Sequence, residues 1–146
     1  MKKLFAILLA GAIMVGSAAC SRSDSGNDRP AGNDQQQTAV TVMEMKGQEL
    51  VDLMADAEKA ANTVVVDVRK ADEYNAGHIE GSVNITLEDL EADPDLLDGY
   101  QDKTVVLYCN SGNRSGKAGK ILVDKGYSTV YNAEGVKQFE YKLVTE

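Results

Sequence analysis

A single cysteine at the end of an apolar run, followed at once by small polar residues and an arginine, is the grouping in this chain that could carry chemistry. Thr104-Val105-Val106-Leu107 leads into Tyr108-Cys109-Asn110-Ser111-Gly112-Asn113-Arg114-Ser115, and a helical pattern follows. Cys109 therefore ends a buried strand and faces a helix N-terminus. Unpaired backbone N–H groups and the positive end of the helix dipole lower a thiol there from about 8.5 by one to several units, which makes it a nucleophile at neutral pH. Gly112 permits unusual backbone angles, and Asn110, Ser111 and Asn113 crowd little, so successive N–H groups can turn inward as an anion-binding nest. A strand-end cysteine on its own is as often an inert core residue. The loop behind Cys109 is what separates the two readings.

The elements that must position this loop alternate between helix and strand from about Val40 onward. Leu50, Leu53, Met54 and Ala57 recur at helical spacing within 48–60, and Thr63-Val64-Val65-Val66 is a β-branched run of a strand buried on both faces. Lys70 to Ala76 reads as a short helical turn ended by Gly77, Ser82 to Ile85 as a short strand, and Thr86 with Asp89 as a helix start broken at Asp93-Pro94-Asp95. Val105 to Tyr108 is the second fully apolar strand. Ser115 to Lys125 reads as a helix capped by Gly126, Thr129 to Tyr131 as a last strand, and 136–143 as a closing helix. Such alternation predicts an α/β fold of three layers, with a parallel sheet between helices. In these sheets the ligand crevice lies beyond the carboxyl ends of the strands, so Asp67-Val68-Arg69 at the end of one buried strand should meet Cys109 to Arg114 at the end of the other.

The first 39 residues have a different character. Met1-Lys2-Lys3, the apolar stretch Leu4 to Val15 and the small residues Gly16-Ser17-Ala18-Ala19 form an export-signal pattern over 1–19. Cys20, directly after Ala19, resembles the lipid-modified cysteine of bacterial lipoproteins, although Ser17 stands where an aliphatic residue is usual and Ser17-x-Ala19 also suits ordinary signal-peptidase cleavage. The expectation is a cell-envelope protein lipid-anchored to the membrane surface, with 20–39 as anchor cysteine and tether and 40–146 as the folded domain. Ser21 to Thr38 has no large apolar residue to order it. With Cys20 acylated, Cys109 has no disulfide partner, since the chain has 2 cysteines.

Apolar residues make up 43% of the chain, which places it among globular and not disordered proteins. Loss of Lys2 and Lys3 with the leader takes two from 15 basic residues against 23 acidic ones, a net of about −10 that argues against nucleic acid as a partner. A small anionic substrate would have to be attracted locally, by loop N–H groups and nearby Arg or Lys.

The set Asp67-Val68-Arg69, Glu73-Tyr74, Gly77-His78-Ile79-x-Gly81-Ser82-Val83-Asn84-Ile85, Tyr108-Cys109-x-x-Gly112-x-Arg114-Ser115 and Gly126-Tyr127-x-x-Val130-Tyr131-Asn132 resembles the single-domain rhodanese family of sulfurtransferases. The matches run from Val64 to Asn132. The resemblance implies a rhodanese-like domain in which Cys109 carries sulfane sulfur as a persulfide, taken from thiosulfate or a persulfide or polysulfide donor and passed to cyanide or a thiol acceptor, without metal or organic cofactor. Carried onto this chain, Asn110, Ser111, Gly112, Asn113 and Arg114 form the substrate cradle, Arg114 meeting the anionic donor or the loop backbone. From their places at the strand ends, Arg69 is expected to contact substrate, with a solvent-exposed arginine as the alternative, and Asp67, bonded to loop backbone or to an arginine near the strand end, is expected with Ser115 to support the site. The domain is expected to act as a monomer. Two departures stand out. Gly135 is followed by Val136 where the family has a second glycine, and Phe139 stands near its tryptophan.

Other chemistries fit less well. Dual-specificity phosphatases and arsenate reductases of related architecture need five residues between cysteine and arginine, and here four separate Cys109 from Arg114. His78 falls in the Gly77-His78-Ile79 turn, a structural place and not that of a Cys–His dyad. Gly112 to Ala118 lacks the glycine spacing and the Ser or Thr of a nucleotide P-loop, and Asp93, Asp95 and Asp98 lack the alternation and distal glutamate of a calcium loop. A non-catalytic sulfur carrier or thiol sensor at the cell surface is the alternative that the sequence leaves open. For the anchor, mass spectrometry of the mature N-terminus is expected to show acyl mass on Cys20; an unmodified N-terminus would make Cys20 a second free thiol.

Overall fold

The two β-branched runs form the centre of the sheet. In the computed structural model, which describes residues 40–145, β2 (Thr63–Asp67) pairs in parallel with β5 (Thr104–Tyr108), Val66 standing opposite Leu107 and Asp67 opposite Tyr108. β1 (Met43–Met45), β6 (Val130–Ala133) and β4 (Val83–Asn84) complete a five-stranded parallel sheet in the order β1-β6-β5-β2-β4. The export signal expected over 1–19 and the anchor expected at Cys20 lie outside the described residues. Among the described residues no helix is long and apolar enough to cross a membrane.

Alternation along the strands sends side chains to two cores. Val64, Val66, Val105, Leu107, Cys109 and Val130 face one side, where α4 (Leu87–Ala92), a 3-10 turn (Pro94–Leu97) and α5 (Asn113–Asp124) contribute Leu90, Leu97, Ala118 and Leu122. Val65, Val106 and Tyr108 face the other, against Leu50 of α1 (Gly47–Ala55). Central strands buried on both faces are why these runs read as continuously apolar rather than alternating. Cys109 thus belongs to the α5 side of the sheet.

Thr86 closes the expected capping box at the start of α4, its Oγ1 accepting from the Asp89 N–H at 3.1 Å while Asp89 Oδ2 accepts from the Thr86 N–H at 3.2 Å. Three other elements differ from expectation. The helix expected over 48–60 breaks at Asp56, whose carboxylate accepts from the N–H groups of Glu58 and Lys59 and starts a separate helix α2 (Ala57–Ala61). α5 begins at Asn113 rather than Ser115, which brings Arg114 into its first turn. The closing helix expected over 136–143 does not form. Val136 and Lys137 N–H groups bond the carbonyls of Cys109 and Asn110, a turn is held by Gln138 Oε1 on the Gly135 N–H, and Tyr141 docks in the second core with its hydroxyl on the Glu134 carbonyl. The extended chain beyond it, β7 (Leu143–Val144), pairs antiparallel with β3 (His78–Ile79).

Candidate active site

Parallel register carries the two candidate segments to the same end of the sheet. The Val68 N–H continues the β2–β5 ladder onto the Tyr108 carbonyl at 3.1 Å, so Cys109 begins the loop beside Val68. Gly112, at φ 81°, makes the left-handed turn that ends the loop and starts α5. The first N–H groups of a helix have no intrahelical partner, and here those of Arg114 and Ser115, with that of Ser111 in the loop, point at the Cys109 sulfur. The Ser115 Oγ lies 3.3 Å from it. Burial works against the thiolate, but the Ser115 hydroxyl and these three N–H groups outweigh it and hold the Cys109 thiol below its ordinary value. Cys109 is the free cysteine among the described residues, and is buried.

Both ends of the loop are tied to one carboxylate. Glu73 of α3 (Ala71–Asn75) accepts from Asn110 Nδ2 at 2.6 Å and from Arg114 Nη1 at 2.9 Å and Nη2 at 3.3 Å. The Arg114 hydrogen bonds, opposed by partial burial and reinforced by Asn110, lower the Glu73 carboxyl to about 2. Sequence reasoning placed Glu73 in the matching motif but gave it no role, because its partners lie 37 and 41 residues away. Arg114 therefore braces the loop, with its charge balanced by Glu73, and is not free solely for substrate. Ser111 and Asn113 are exposed at the rim.

Arg69 departs from the expected substrate contact. It is 5% exposed, its Nε and Nη2 close on the Asp67 carboxylate at 2.6 to 3.0 Å, and Nη2 also donates to the Gly77 carbonyl at 2.7 Å. A guanidinium so enclosed, lying over the Tyr108 ring, holds the chain after β2 to the turn before β3. The Asp67 side chain is engaged by Arg69, accepting from its backbone N–H as well as its guanidinium. His78 is buried too, stacked on Tyr74 with ring centroids 3.8 Å apart and with Nδ1 3.0 Å from the Tyr74 carbonyl, in keeping with a structural turn.

The departures from the family pattern also find places. A Cβ on Gly135 would stand 2.2 Å from the Asn110 carbonyl carbon and 2.6 Å from the Cys109 oxygen, so the backbone of 135–137 presses directly on the loop's first two peptides. Phe139 packs beside Tyr141, ring centroids 4.8 Å apart, against Gly47 at the start of α1. It is half-buried against the second core.

Comparison with known proteins points to one family. The rhodanese-like domain family matches residues 46–140. The chain belongs to the rhodanese-like family. It is 40% identical over 72 residues to the thiosulfate sulfurtransferase PspE of Escherichia coli (strain K12), covering 49% of this chain and 69% of that one. It is 36% identical over 89 residues to the tRNA uridine(34) hydroxylase of Pectobacterium atrosepticum, covering 58% of this chain but 24% of that longer protein. Among solved structures it resembles a rhodanese with anions from E. coli, at 33% identity and a TM-score of 0.52 over 57% of this chain and 99% of that one. These relationships support a sulfurtransferase type of enzyme on the rhodanese fold.

Two outcomes follow from the bracing. Because the Glu73 carboxyl is lowered from 4.5 to about 2, its stabilisation is complete above about pH 4.5 and is lost as pH falls toward 2. Glu73→Gln should therefore destabilise the domain by about 1–2 kcal/mol in denaturant titrations at neutral pH, and the difference should fade toward pH 2. Gly135→Ala should cost about 1–3 kcal/mol by overpacking and reduce Cys109 reactivity, read by unfolding and by alkylation of Cys109.

Proposed function

We propose that this domain is a sulfurtransferase that moves one sulfane sulfur through a Cys109 persulfide. The observation that carries the reading is the convergence of the Ser111, Arg114 and Ser115 N–H groups and the Ser115 hydroxyl on a single buried sulfur. The Cys109 thiolate attacks the outer sulfur of thiosulfate. A new sulfur–sulfur bond forms, the old one breaks, and sulfite leaves with its electron pair. The terminal persulfide sulfur is then taken by cyanide or a thiolate acceptor, and the Cys109 thiolate is regenerated. Negative charge stays near the loop throughout, where fixed N–H dipoles stabilise it without reorganising.

Similarity to PspE, which bears the name of a thiosulfate sulfurtransferase, supports thiosulfate as donor; persulfides and polysulfides satisfy the same chemistry. Arg114 is charge-balanced by Glu73, so affinity for thiosulfate rests on loop N–H groups and is modest. The export-signal pattern of 1–19 and Cys20 support a setting at the cell envelope, tethered to the membrane, with small anionic sulfur donors and thiol or cyanide acceptors as partners. A phosphatase or arsenate reductase remains disfavoured by the four-residue spacing between Cys109 and Arg114.

Incubation with thiosulfate should add the mass of one sulfur atom to the wild-type chain and none to Cys109→Ser, and cyanide should then remove it as thiocyanate. Sulfur uptake without turnover would identify a carrier. Absence of both would overturn the proposal. The rate of sulfur uptake should rise with pH through an apparent pKa below that of an ordinary thiol, and Ser115→Ala should move it upward by about one unit.

A further inference from the structure

The Ser115 hydroxyl has one proton and two acceptors. Its oxygen lies 3.3 Å from Cys109 Sγ and 2.6 Å from Asn132 Oδ1. One hydroxyl cannot donate along both directions at once. Asn132, buried at the end of β6, is held with its oxygen toward Ser115 because its Nδ2 donates to both carboxylate oxygens of Glu44, each at 3.2 Å. Glu44 stands opposite Asn132 in the parallel β1–β6 register, exposed on the edge strand, where it lines a cleft of about 550 Å³ that also borders Gly112 and Asn113. A line of polar contacts thus runs from solvent at Glu44 to the reactive sulfur.

Resting on the sulfurtransferase reading, we propose that Glu44 and Asn132 are positioning residues that set which acceptor receives the Ser115 proton, and so how strongly the Cys109 thiolate is stabilised. With Asn132 locked, its oxygen competes with the sulfur. The hydroxyl proton rests on Asn132 while the sulfur is a neutral thiol or the inner atom of a persulfide, and turns to the sulfur only when the thiolate forms, leaving Asn132 Oδ1 unpaired. That competition moderates the thiolate. A less stabilised thiolate is the stronger nucleophile toward sulfur, because nucleophilicity rises with thiol pKa.

Released from Glu44, the Asn132 amide can rotate and present Nδ2 to the Ser115 oxygen. The hydroxyl proton is then committed to Cys109. The other charged groups around this line are Arg114 with its partner Glu73, Glu88 acting on Arg114, the closed pair Asp67 and Arg69, and, across the cleft from Glu44, Lys117, Lys120 and Asp124. They stay unchanged in every variant below.

The test is the pH dependence of Cys109 alkylation by iodoacetamide, resolved by peptide mass in the full chain and run beside thiosulfate loading. Glu44→Ala is expected to shift the Cys109 profile downward by about one unit, roughly tenfold in thiolate fraction at pH below the transition. Glu44→Gln, which keeps an oxygen for Asn132 Nδ2, is expected to retain the wild-type profile. In a Ser115→Ala background, Glu44→Ala is expected to cause no further shift. Equal shifts in Glu44→Ala and Glu44→Gln would overturn positioning in favour of a simple field effect of the carboxylate, and no shift in Glu44→Ala would overturn it outright. Normal sulfur loading with unmoved alkylation profiles would sink this inference alone. Absent loading with the expected profiles would sink the sulfurtransferase reading and leave the Ser115 arrangement standing.

Discussion

The Glu73 carboxylate holds Asn110 and Arg114 together, and the shape of the sulfur cradle depends on that clamp. A loop of a few small residues has too little side-chain surface to fix its own conformation, and the backbone entropy of ordering it is considerable. Three charge-assisted bonds accepted by one half-buried carboxylate hold its first residue and the first turn of the following helix at a set separation. From below, 135–137 satisfies the Cys109 and Asn110 carbonyls. The N–H groups of Ser111, Arg114 and Ser115 are directed to the sulfur. The site is thus assembled by subtraction: partners elsewhere occupy the groups that would compete for the inside of the loop.

Around the clamp, the fold supplies direction. Parallel pairing of β2 with β5 sets Asp67 beside Tyr108, so both chains leave the sheet together. Arg69 folds back on Asp67 and reaches Gly77, and Tyr108 receives the Ile79 N–H on its hydroxyl, both of which tie β3 to the strand ends. β7 closes over β3 from the far end of the chain. Rigidity at the sulfur is inherited from these buried polar contacts as much as from the apolar cores.

Much of this was legible in the sequence wherever the signal was local. The β-branched runs around Val65 and Val106, the Thr86–Asp89 box, the Cys109 loop and the order of strands and helices are written in spacing over a few residues. The family was legible for the same reason, since its motifs are short and ordered. Contacts between distant segments were not. Arg69 was read as a substrate contact because spacing alone does not show that its side chain is closed on Asp67 and the Gly77 carbonyl, and Glu73 had a place in the motif but no role because Asn110 and Arg114 approach it only in the fold. The end of the chain misled for a related reason. Helical spacing in 136–143 is overridden by the N–H groups of Val136 and Lys137 engaging the loop and by Tyr141 docking. Asp56 was the one readable signal passed over, an N-cap residue inside an apparently continuous helical stretch.

The ion pair between Arg114 and Glu73 also determines how a donor meets the protein. With the guanidinium charge balanced locally and the chain acidic overall, no strong positive field extends from the site into solvent. What attracts an anion is a set of amide dipoles whose influence fades within a few ångströms, well inside the screening length of physiological salt. Capture is then a contact event and not a steered one. Its rate follows donor concentration and diffusion, without the fall on adding salt that steering by a positive field would bring.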